Sequence, residues 1–524
     1  MRRFRLSPRL RRPLLAAVVL PLVAAGASAQ RLAPIVYTIS VPSVLAPVAA
    51  ISVQIPTGKK PAVDLMMPVW SPGFYRVEDY AANVQDLSAR GANGEVLAVE
   101  QPAKNRWRVT TNGAPTITVT YRLLCDGRSV TTNAITATYG IFNGSATYLT
   151  LAESGQRPHE VHVVLPAEWT QAMTSLAAAP DGQANHFRAS DYDELNDSPI
   201  LTGKLSVHEF TVAGSLHQLV DAGDLGAWDG ALAASQLEQF VRINAGFWGA
   251  LPFKRYVFLN VFRRGGGGLE HRNSTLLTSS ASPDAPSGTL RWLNFVSHEY
   301  FHAFNVKRLR PVELGPFDYE QPPRTSSLWV SEGLTSYFGE LFTKRAGLAS
   351  LTDYLATLSA HIAAVQNSPG RLVQTLEQSS LAVWTLGGTS GVGNDPRTTV
   401  SYYEKGAVVG FLLDAHIRRV TEGKRSLDDV MRLAYRRHSG RRGFTPMQFR
   451  QAAEDVAAED LSRWFARVIS STEELDYSEA LEWYGLRFAS TSDQTKRWAL
   501  ELDPRATAAQ RMHLQALAGF VPQG

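Results

Sequence analysis

His298-Glu299-Tyr300-Phe301-His302 is the stretch of this sequence best equipped for chemistry. It follows Trp292-Leu293-Asn294-Phe295-Val296-Ser297, an apolar run that reads as a helix. Two histidines four residues apart lie on one helical face, a turn above each other. Their imidazoles can then share one Zn²⁺ at roughly 2.0–2.1 Å. Glu299 stands one residue past the first histidine. There it does not ligate; it lies beside the ion's open position, where a carboxylate can take a proton from water.

A catalytic zinc takes three protein ligands and keeps a fourth position for water. The candidate third ligand is Glu332, within Leu328-Trp329-Val330-Ser331-Glu332-Gly333-Leu334-Thr335-Ser336-Tyr337-Phe338. This segment reads as a second helix with Trp329, Leu334, Tyr337 and Phe338 buried. A carboxylate among such neighbours needs a partner, and a metal is one. Glu340 is the alternative ligand. No cysteine lies near, which excludes a cysteine-rich structural zinc site.

Two more segments could serve a peptide substrate. Gly265-Gly266-Gly267-Gly268-Leu269-Glu270-His271 follows the strand-like run Tyr256–Phe262. Glycines let a ligand backbone approach closely, and a strand edge there could pair with an extended peptide. Glu270, at the end of that edge, could hold a free α-ammonium; the alternative is a flexible glycine loop with a solvated carboxylate. Tyr402-Tyr403-Glu404-Lys405-Gly406 opens a later helix. A phenol near the metal can donate to a developing oxyanion, although a tyrosine before a helix can equally be packing.

These side chains need a frame. The chain has 524 residues, 44% hydrophobic and 19% charged, enough for several cored domains. Six arginines in Met1–Arg12 precede the apolar run Pro13–Gly26, and Ala27-Ser28-Ala29 closes it. That pattern is a cleavable secretory leader, residues 1–29, with an uncleaved membrane anchor as the alternative. The paired arginines at 2–3 and 11–12 leave the Sec and twin-arginine export routes both open. Taking the six leader arginines from 52 basic residues leaves 46 against 48 acidic, a net −2. The basic balance of the whole chain therefore argues for no nucleic-acid partner. Cys125 is the single cysteine, so no intramolecular disulfide forms, and its place between Leu124 and Asp126 reads as a buried strand position.

Residues 30–205 alternate with period two, as in Val36–Val41, Ile51–Ile55, Trp107–Thr110 and Thr116–Arg122, which predicts a β-sandwich-like N-terminal domain. Trp70-Ser71-Pro72-Gly73-Phe74-Tyr75 reads as a structural turn with aromatic flanks. From about 215 the pattern turns helical: Ala231–Trp248, the motif helix, the Glu332 helix, Asp353–Val365, Gly406–Val420 and Leu427–Arg437. Ala281–Gly288 reads as a loop. The expected division is a zinc catalytic domain over 206–350, a helical part over 351–475, and a short ambiguous tail over 476–524.

Taken together these segments resemble the glycyl aminopeptidase family of zinc metallopeptidases, within the gluzincins. Trp70–Tyr75 resembles its Trp-x-Pro-Gly-x-Tyr. His298 to Pro311, with Asn305, Lys307, Arg308 and Arg310, resembles its zinc helix and following basic run. Leu328–Tyr337 resembles its Leu-Trp-x-x-Glu-Gly segment. Gly267-Gly268-Leu269-Glu270-His271 is similar to its Gly-Gly-Leu-Glu-His, and Tyr403-Glu404-Lys405-Gly406 to a Tyr-Glu-Lys-Gly whose tyrosine stabilises the transition state.

The resemblance implies a thermolysin-like catalytic fold in a multidomain α+β chain. It implies one Zn²⁺ on His298, His302 and Glu332, catalysis by Glu299 and Tyr403, and substrate binding by Glu270, Gly267, Gly268 and His271. Peptides with a free N-terminus are the implied partners, small N-terminal residues (Gly or Ala) are preferred, and the leader implies a periplasmic or secreted enzyme. Many members of the family carry a C-terminal PDZ domain; the stretch after Asp476 is too short for one of usual size, and none is expected. An endopeptidase on the same fold and a non-catalytic peptide-binding envelope protein are the competing readings.

Overall fold

The computed structural model describes Met1 and residues 32–153, 156–279, 286–385, 395–490 and 493–519. The leader assigned to residues 1–29 lies outside them, Met1 apart. The alternating segments pair as strands. Ile35–Ser40 buries Ile35, Tyr37 and Ile39 while its intervening residues stay half-exposed. It pairs antiparallel with Val48–Pro56, which pairs in turn with Thr116–Leu124, inside an eight-stranded sheet. Two four-stranded sheets lie nearby, one holding Ala62–Met66 and Arg106–Thr110, the other Tyr139–Phe142 and Ile200–Gly203. Val53 and Val119 of the large sheet share one apolar core with Leu65 and Trp107 and with Phe142 and Ile200 of the small ones. That shared core is the sandwich-like arrangement that period-two burial requires. Cys125, just past the strand, is free and fully buried, and burial pushes its thiol up to about 12.

A five-stranded sheet follows. Ser215–Gly223, Arg255–Phe262 and Ser274–Ser279 run parallel, with Ser206–Val212 and Gly267–Glu270 antiparallel at its two edges. Helix Gly230–Trp248 makes the crossover that a parallel pair needs. Asp229 caps it by accepting from the Leu232 N–H at 2.9 Å, and left-handed Gly249 ends it. One face of the sheet, through Leu219 and Phe258, packs on this helix and on helix Pro286–Phe301. The other, through Val220, Val257 and Leu259, packs on Ile141 and Leu201 of the N-terminal region. The loop expected over 281–288 is shorter than that. Pro286 already begins the helix, at the position where proline's missing N–H costs nothing, and residues 281–285 lie outside the described ones.

The helical region holds Leu334–Arg345, Leu351–Gln366, Tyr402–Val420 and Leu427–His438 in one core. Gly333 and Gly406 let two of its segments meet backbone to backbone, since a Cβ on either would collide with the other's Cα. The last described segment is not a loose tail. Helix Ser478–Tyr484, a hairpin of Leu486–Phe488 with Leu500–Leu502, and helix Ala508–Ala518 put Tyr484, Leu486, Leu514 and Leu517 into the same core. Most of its elements are too short for periodicity to show, and burial on neighbouring helices supplies what local pattern lacks. Among the described residues, no helix is long and apolar enough to cross a membrane.

Asp414 ties this last segment to the rest. Its buried carboxylate accepts from Arg418 Nε at 2.9 Å, Tyr337 Oη at 3.1 Å, Tyr484 Oη at 3.2 Å and the Leu427 N–H at 2.7 Å. Asp414→Ala would strand the buried Arg418 cation, a loss of roughly 3–5 kcal/mol. We expect a clear fall in the urea midpoint of the helical region, followed by tryptophan fluorescence; an unchanged midpoint would refute this role for Asp414.

Candidate metal centre and active site

The two histidines sit where helix Pro286–Phe301 runs out. His298 is in its last turn, and the His302 N–H still donates to the His298 carbonyl at 3.3 Å. Second partners orient both rings. His302 Nδ1 donates to the Asn305 carbonyl at 2.8 Å, which leaves Nε2 as the nitrogen turned toward the cluster. Ser336 Oγ donates to the Glu332 carbonyl at 3.0 Å and so accepts from His298 Nδ1 at 3.3 Å, freeing that ring's Nε2 as well. The two Nε2 atoms lie 3.0 Å apart. Glu332 Oε2 lies 3.1 Å from His302 Nε2 and 3.6 Å from His298 Nε2. Three donors on a tetrahedral ion at 2.0–2.1 Å stand about 3.3 Å from one another. These residues therefore fit one such ion, and among the described residues no other such cluster forms.

Glu332 reaches this position from a turn wider than the helix its sequence predicts. Trp329–Gly333 is a π-helical turn leading into Leu334–Arg345. Such turns recur at functional sites because the extra residue redirects a side chain. Asn305 holds the turn to the histidine loop, its Nδ2 donating to the Val330 carbonyl at 2.8 Å and to Thr335 Oγ1 at 3.0 Å. Glu340, the alternative ligand, is elsewhere: its Oε1 lies 2.7 Å from His361 Nε2.

Two further carboxylates face the cluster. Glu299 lies against Gly268 of the edge strand so closely that a Cβ there would collide with Oε1. Glu299 is 6% exposed and Glu270 is 4% exposed, yet Glu299 Oε2 and Glu270 Oε1 have no hydrogen-bond partner. Buried oxygens in that state keep their capacity to accept. Burial raises Glu299 to about 8, with Glu270 and Glu332 adding and His302 opposing. Burial works to lower His302, but Glu332 and Glu270 overcome it and raise the ring to about 10. Glu332 is held well below the usual carboxylate range: burial opposes this, and His302 and His298 outweigh it. His298 is lowered by burial.

Around Glu270 the N-terminal region contributes directly. Lys307 Nζ lies 3.7 Å from Glu270 Oε1 and donates to Asp197 Oδ1 at 3.0 Å and to the Pro72 carbonyl at 3.3 Å. His271 Nδ1 lies 3.1 Å from the same Asp197 oxygen, so its ring supports this network from behind Glu270. Gly267 accepts from Thr278 Oγ1 at 3.2 Å within the edge hairpin. Gly73 packs its backbone on the Glu270 carboxylate.

Tyr403 is partly buried and its ring stacks on His298, centroids 6.1 Å apart, whereas Tyr402 is fully buried. The exposed one of the pair is thus the one facing the histidine. Tyr75, read from sequence as part of a structural turn, belongs here too. Its buried hydroxyl has no hydrogen-bond partner. Burial, followed by the nearby Glu332 and Glu270 carboxylates, raises it well above the ordinary phenol range. Its ring meets Trp384 edge-on at 6.0 Å. Nothing local marks Asp197 as a site residue, and Tyr75 is set apart only by the aromatic turn motif it closes; both reach the site through tertiary packing. The run after the motif carried a signal whose meaning was open. Asn305 and Lys307 brace the site, and Arg308 donates to the Arg272 carbonyl at 2.8 Å and to Asn273 Oδ1 at 2.9 Å, fixing the loop beyond the edge strand.

Comparison with known proteins places the family. The family model of the Peptidase M61 N-terminal domain matches residues 36–204, and that of the M61 glycyl aminopeptidase matches residues 291–409. No curated protein matches the chain. The crystal structure of an aminopeptidase N family protein from Idiomarina loihiensis superposes with a TM-score of 0.80 at 28% identity, over 86% of this chain and 78% of that one. An M1 zinc metallopeptidase variant from Deinococcus radiodurans, bound to a Tyr-Ser-Ala substrate, gives 0.53 at 14% identity, over 85% and 95%. Native leukotriene A4 hydrolase from Saccharomyces cerevisiae gives 0.51 at 14%, over 87% and 70%. The last two likenesses are of fold.

Two outcomes test the metal centre. Glu332→Ala removes one of three donors and should abolish stoichiometric metal in elemental analysis, while Glu340→Ala should keep it; full occupancy in the first would move the ligand elsewhere. Protons should also be released on loading. At pH 7 the metal-free protein holds a proton on His302, raised to about 10, and on Glu299, raised to about 8. An ion takes the His302 lone pair and favours ionised Glu299. Calorimetry with zinc in buffers of different ionisation enthalpy should show this release, with affinity rising between pH 6 and pH 8. Binding without proton release would contradict the assignment.

Proposed function

The chain belongs to the M61 glycyl aminopeptidase family of peptidases, and on that footing we propose a zinc aminopeptidase that removes small N-terminal residues, Gly or Ala, from peptides. One observation carries this reading. Three metal donors gather beside two buried carboxylate oxygens that accept no hydrogen bond, one of them 3.7 Å from the Lys307 ammonium, at the edge of a glycine-rich strand. Charge points the same way. Asp197 is answered by Lys307, which leaves Glu270, Glu299 and Glu332 as three buried carboxylates. A divalent ion and a substrate α-ammonium bring the three positive charges that would balance them.

His298, His302 and Glu332 would hold the zinc, which when bound polarises the scissile carbonyl and acidifies water. The substrate backbone lies along Gly267–Glu270 as an added strand. Glu270 takes its α-ammonium, with Lys307 drawn off toward Asp197 and Pro72. Glu299 accepts the proton of the attacking water and passes it to the leaving amine; a carboxylate raised toward neutrality is a stronger base than an ordinary one. Tyr403 donates its phenol proton as a hydrogen bond to the oxyanion. The leader-like N-terminus supports export to the periplasm or beyond, where peptides with free N-termini are the partners.

Glu299→Gln keeps the shape of the side chain and cannot accept a proton. It should retain zinc and lose roughly 10²–10⁴-fold in kcat on glycyl and alanyl amides. A mutant that turns over at the wild-type rate would remove Glu299 from the mechanism. Glu270→Ala tests exopeptidase character. The carboxylate–ammonium contact is worth roughly 1.5–3 kcal/mol. Its loss should lower kcat/KM on free-amine substrates by about 10- to 150-fold. It should also shrink discrimination against N-acetylated peptides, at unchanged zinc content. A constant free-amine to acetyl ratio would favour an endopeptidase on this fold.

A further inference from the structure

His361 lies outside the metal cluster but is bound on both sides. Its Nε2 is 2.7 Å from Glu340 Oε1, and its Nδ1 meets Glu404 Oε2. Neither carboxylate can donate when ionised, and a neutral imidazole carries only one N–H. Two charged partners therefore require both ring nitrogens to be protonated. Burial disfavours that charge, but Glu340 and Glu404 prevail and raise the ring to about 10. His361 and Glu340 are largely covered, with side-chain exposures of 13% and 14%, and Glu404 is half-exposed at 36%. The triad is a cation held between two anions from two different helices.

Those helices each carry part of the active site. Glu340 is on Leu334–Arg345, which continues from the π-helical turn bearing Glu332 and carries Ser336, the partner of His298 Nδ1. Glu404 follows Tyr403 in the first turn of Tyr402–Val420, where Ser401 Oγ accepts from the Glu404 N–H at 3.3 Å. The first turn of a helix is its least restrained part, because its N–H groups lack helical partners. Tyr403 needs a fixed place relative to His298, on which its ring stacks.

We propose that His361 is a positioning residue: its imidazolium clamps Glu404 to Glu340 and so holds the Tyr403 phenol in register with the metal ligands. It touches neither substrate nor metal and acts only through Tyr403. The proposal rests on the reading of Tyr403 as the oxyanion donor, and the test separates the two.

The experiment is a double-mutant cycle of His361→Ala and Tyr403→Phe on the zinc-loaded full chain. It reads kcat and KM on an alanyl amide, zinc content and unfolding temperature. His361→Ala should lower kcat about 10-fold with KM within about twofold and zinc retained. In the Tyr403→Phe background the same change should cost less than about twofold, because the group it positions is gone. Equal losses in the two backgrounds, or no loss in the first, would overturn the clamp and leave His361 as a structural ion pair. Tyr403→Phe at the wild-type rate would overturn the oxyanion reading and the clamp together. If His361→Ala does not fold, Glu404→Ala carries the same cycle, since it removes the half-exposed member and leaves His361 paired with Glu340.

Discussion

Three buried carboxylates converge on one small space, and most of the structure around them serves to make that tolerable. Glu270, Glu299 and Glu332 are each at most 6% exposed. Like charges so close and so dry repel strongly and cannot all ionise without compensation. The chain supplies part of it. His302 takes up a proton beside Glu332, Lys307 stands near Glu270, and Glu299 is pushed toward its neutral form. A cavity lined by apolar residues would be cheaper to fold. On the proposed reading, that charge deficit is what would draw in a divalent ion and an ammonium group.

Holding such a cluster needs rigid elements brought very close. The histidines sit at a helix end, Glu332 on a π-helical turn, and Glu299 against a strand edge that only glycine permits. Asn305 joins two of these pieces and Lys307 the third, both from one short loop. The second hydrogen bonds of the two histidines, to the Asn305 carbonyl and to Ser336 Oγ, fix which ring nitrogen faces the cluster, which spacing along a helix does not settle. Orientation of this kind from the outer layer governs metal affinity as much as the ligands themselves do.

Much of this was legible before the structure. Period-two burial marked Ile35–Ser40, Val48–Pro56 and Thr116–Leu124, and helical period marked Gly230–Trp248 and Leu427–His438, because these elements bury one face each. His298, Glu299 and His302 were legible because a single helix sets their relation. Glu332 was legible through its apolar setting, though the π geometry of its turn was not, since one extra residue in a turn leaves no periodic trace. Tyr75, Asp197 and His361 were hidden for another reason. Each reaches its partners across more than one element, and nothing in its own neighbourhood says which partners those are. The segment after Asp476 is ambiguous in sequence because most of its elements are short and its apolar residues are spaced to meet other helices.

The N-terminal β region takes on meaning from the same charges. It is joined to the catalytic sheet by an apolar interface, which alone could be a mere scaffold. It also sends Asp197, the Pro72 carbonyl, Gly73 and Tyr75 to the end of the edge strand where Glu270 lies. Those groups fix Lys307 and press on Glu270, so the region packs against the Glu270 end of the edge strand Gly267–Glu270. Under the proposed function, an edge strand that ends at a buried carboxylate with a turn packed on it favours a peptide that stops there with a positive charge. On the proposed reading, the aminopeptidase character belongs to the junction of the two regions, and the zinc helix alone would supply only peptide hydrolysis.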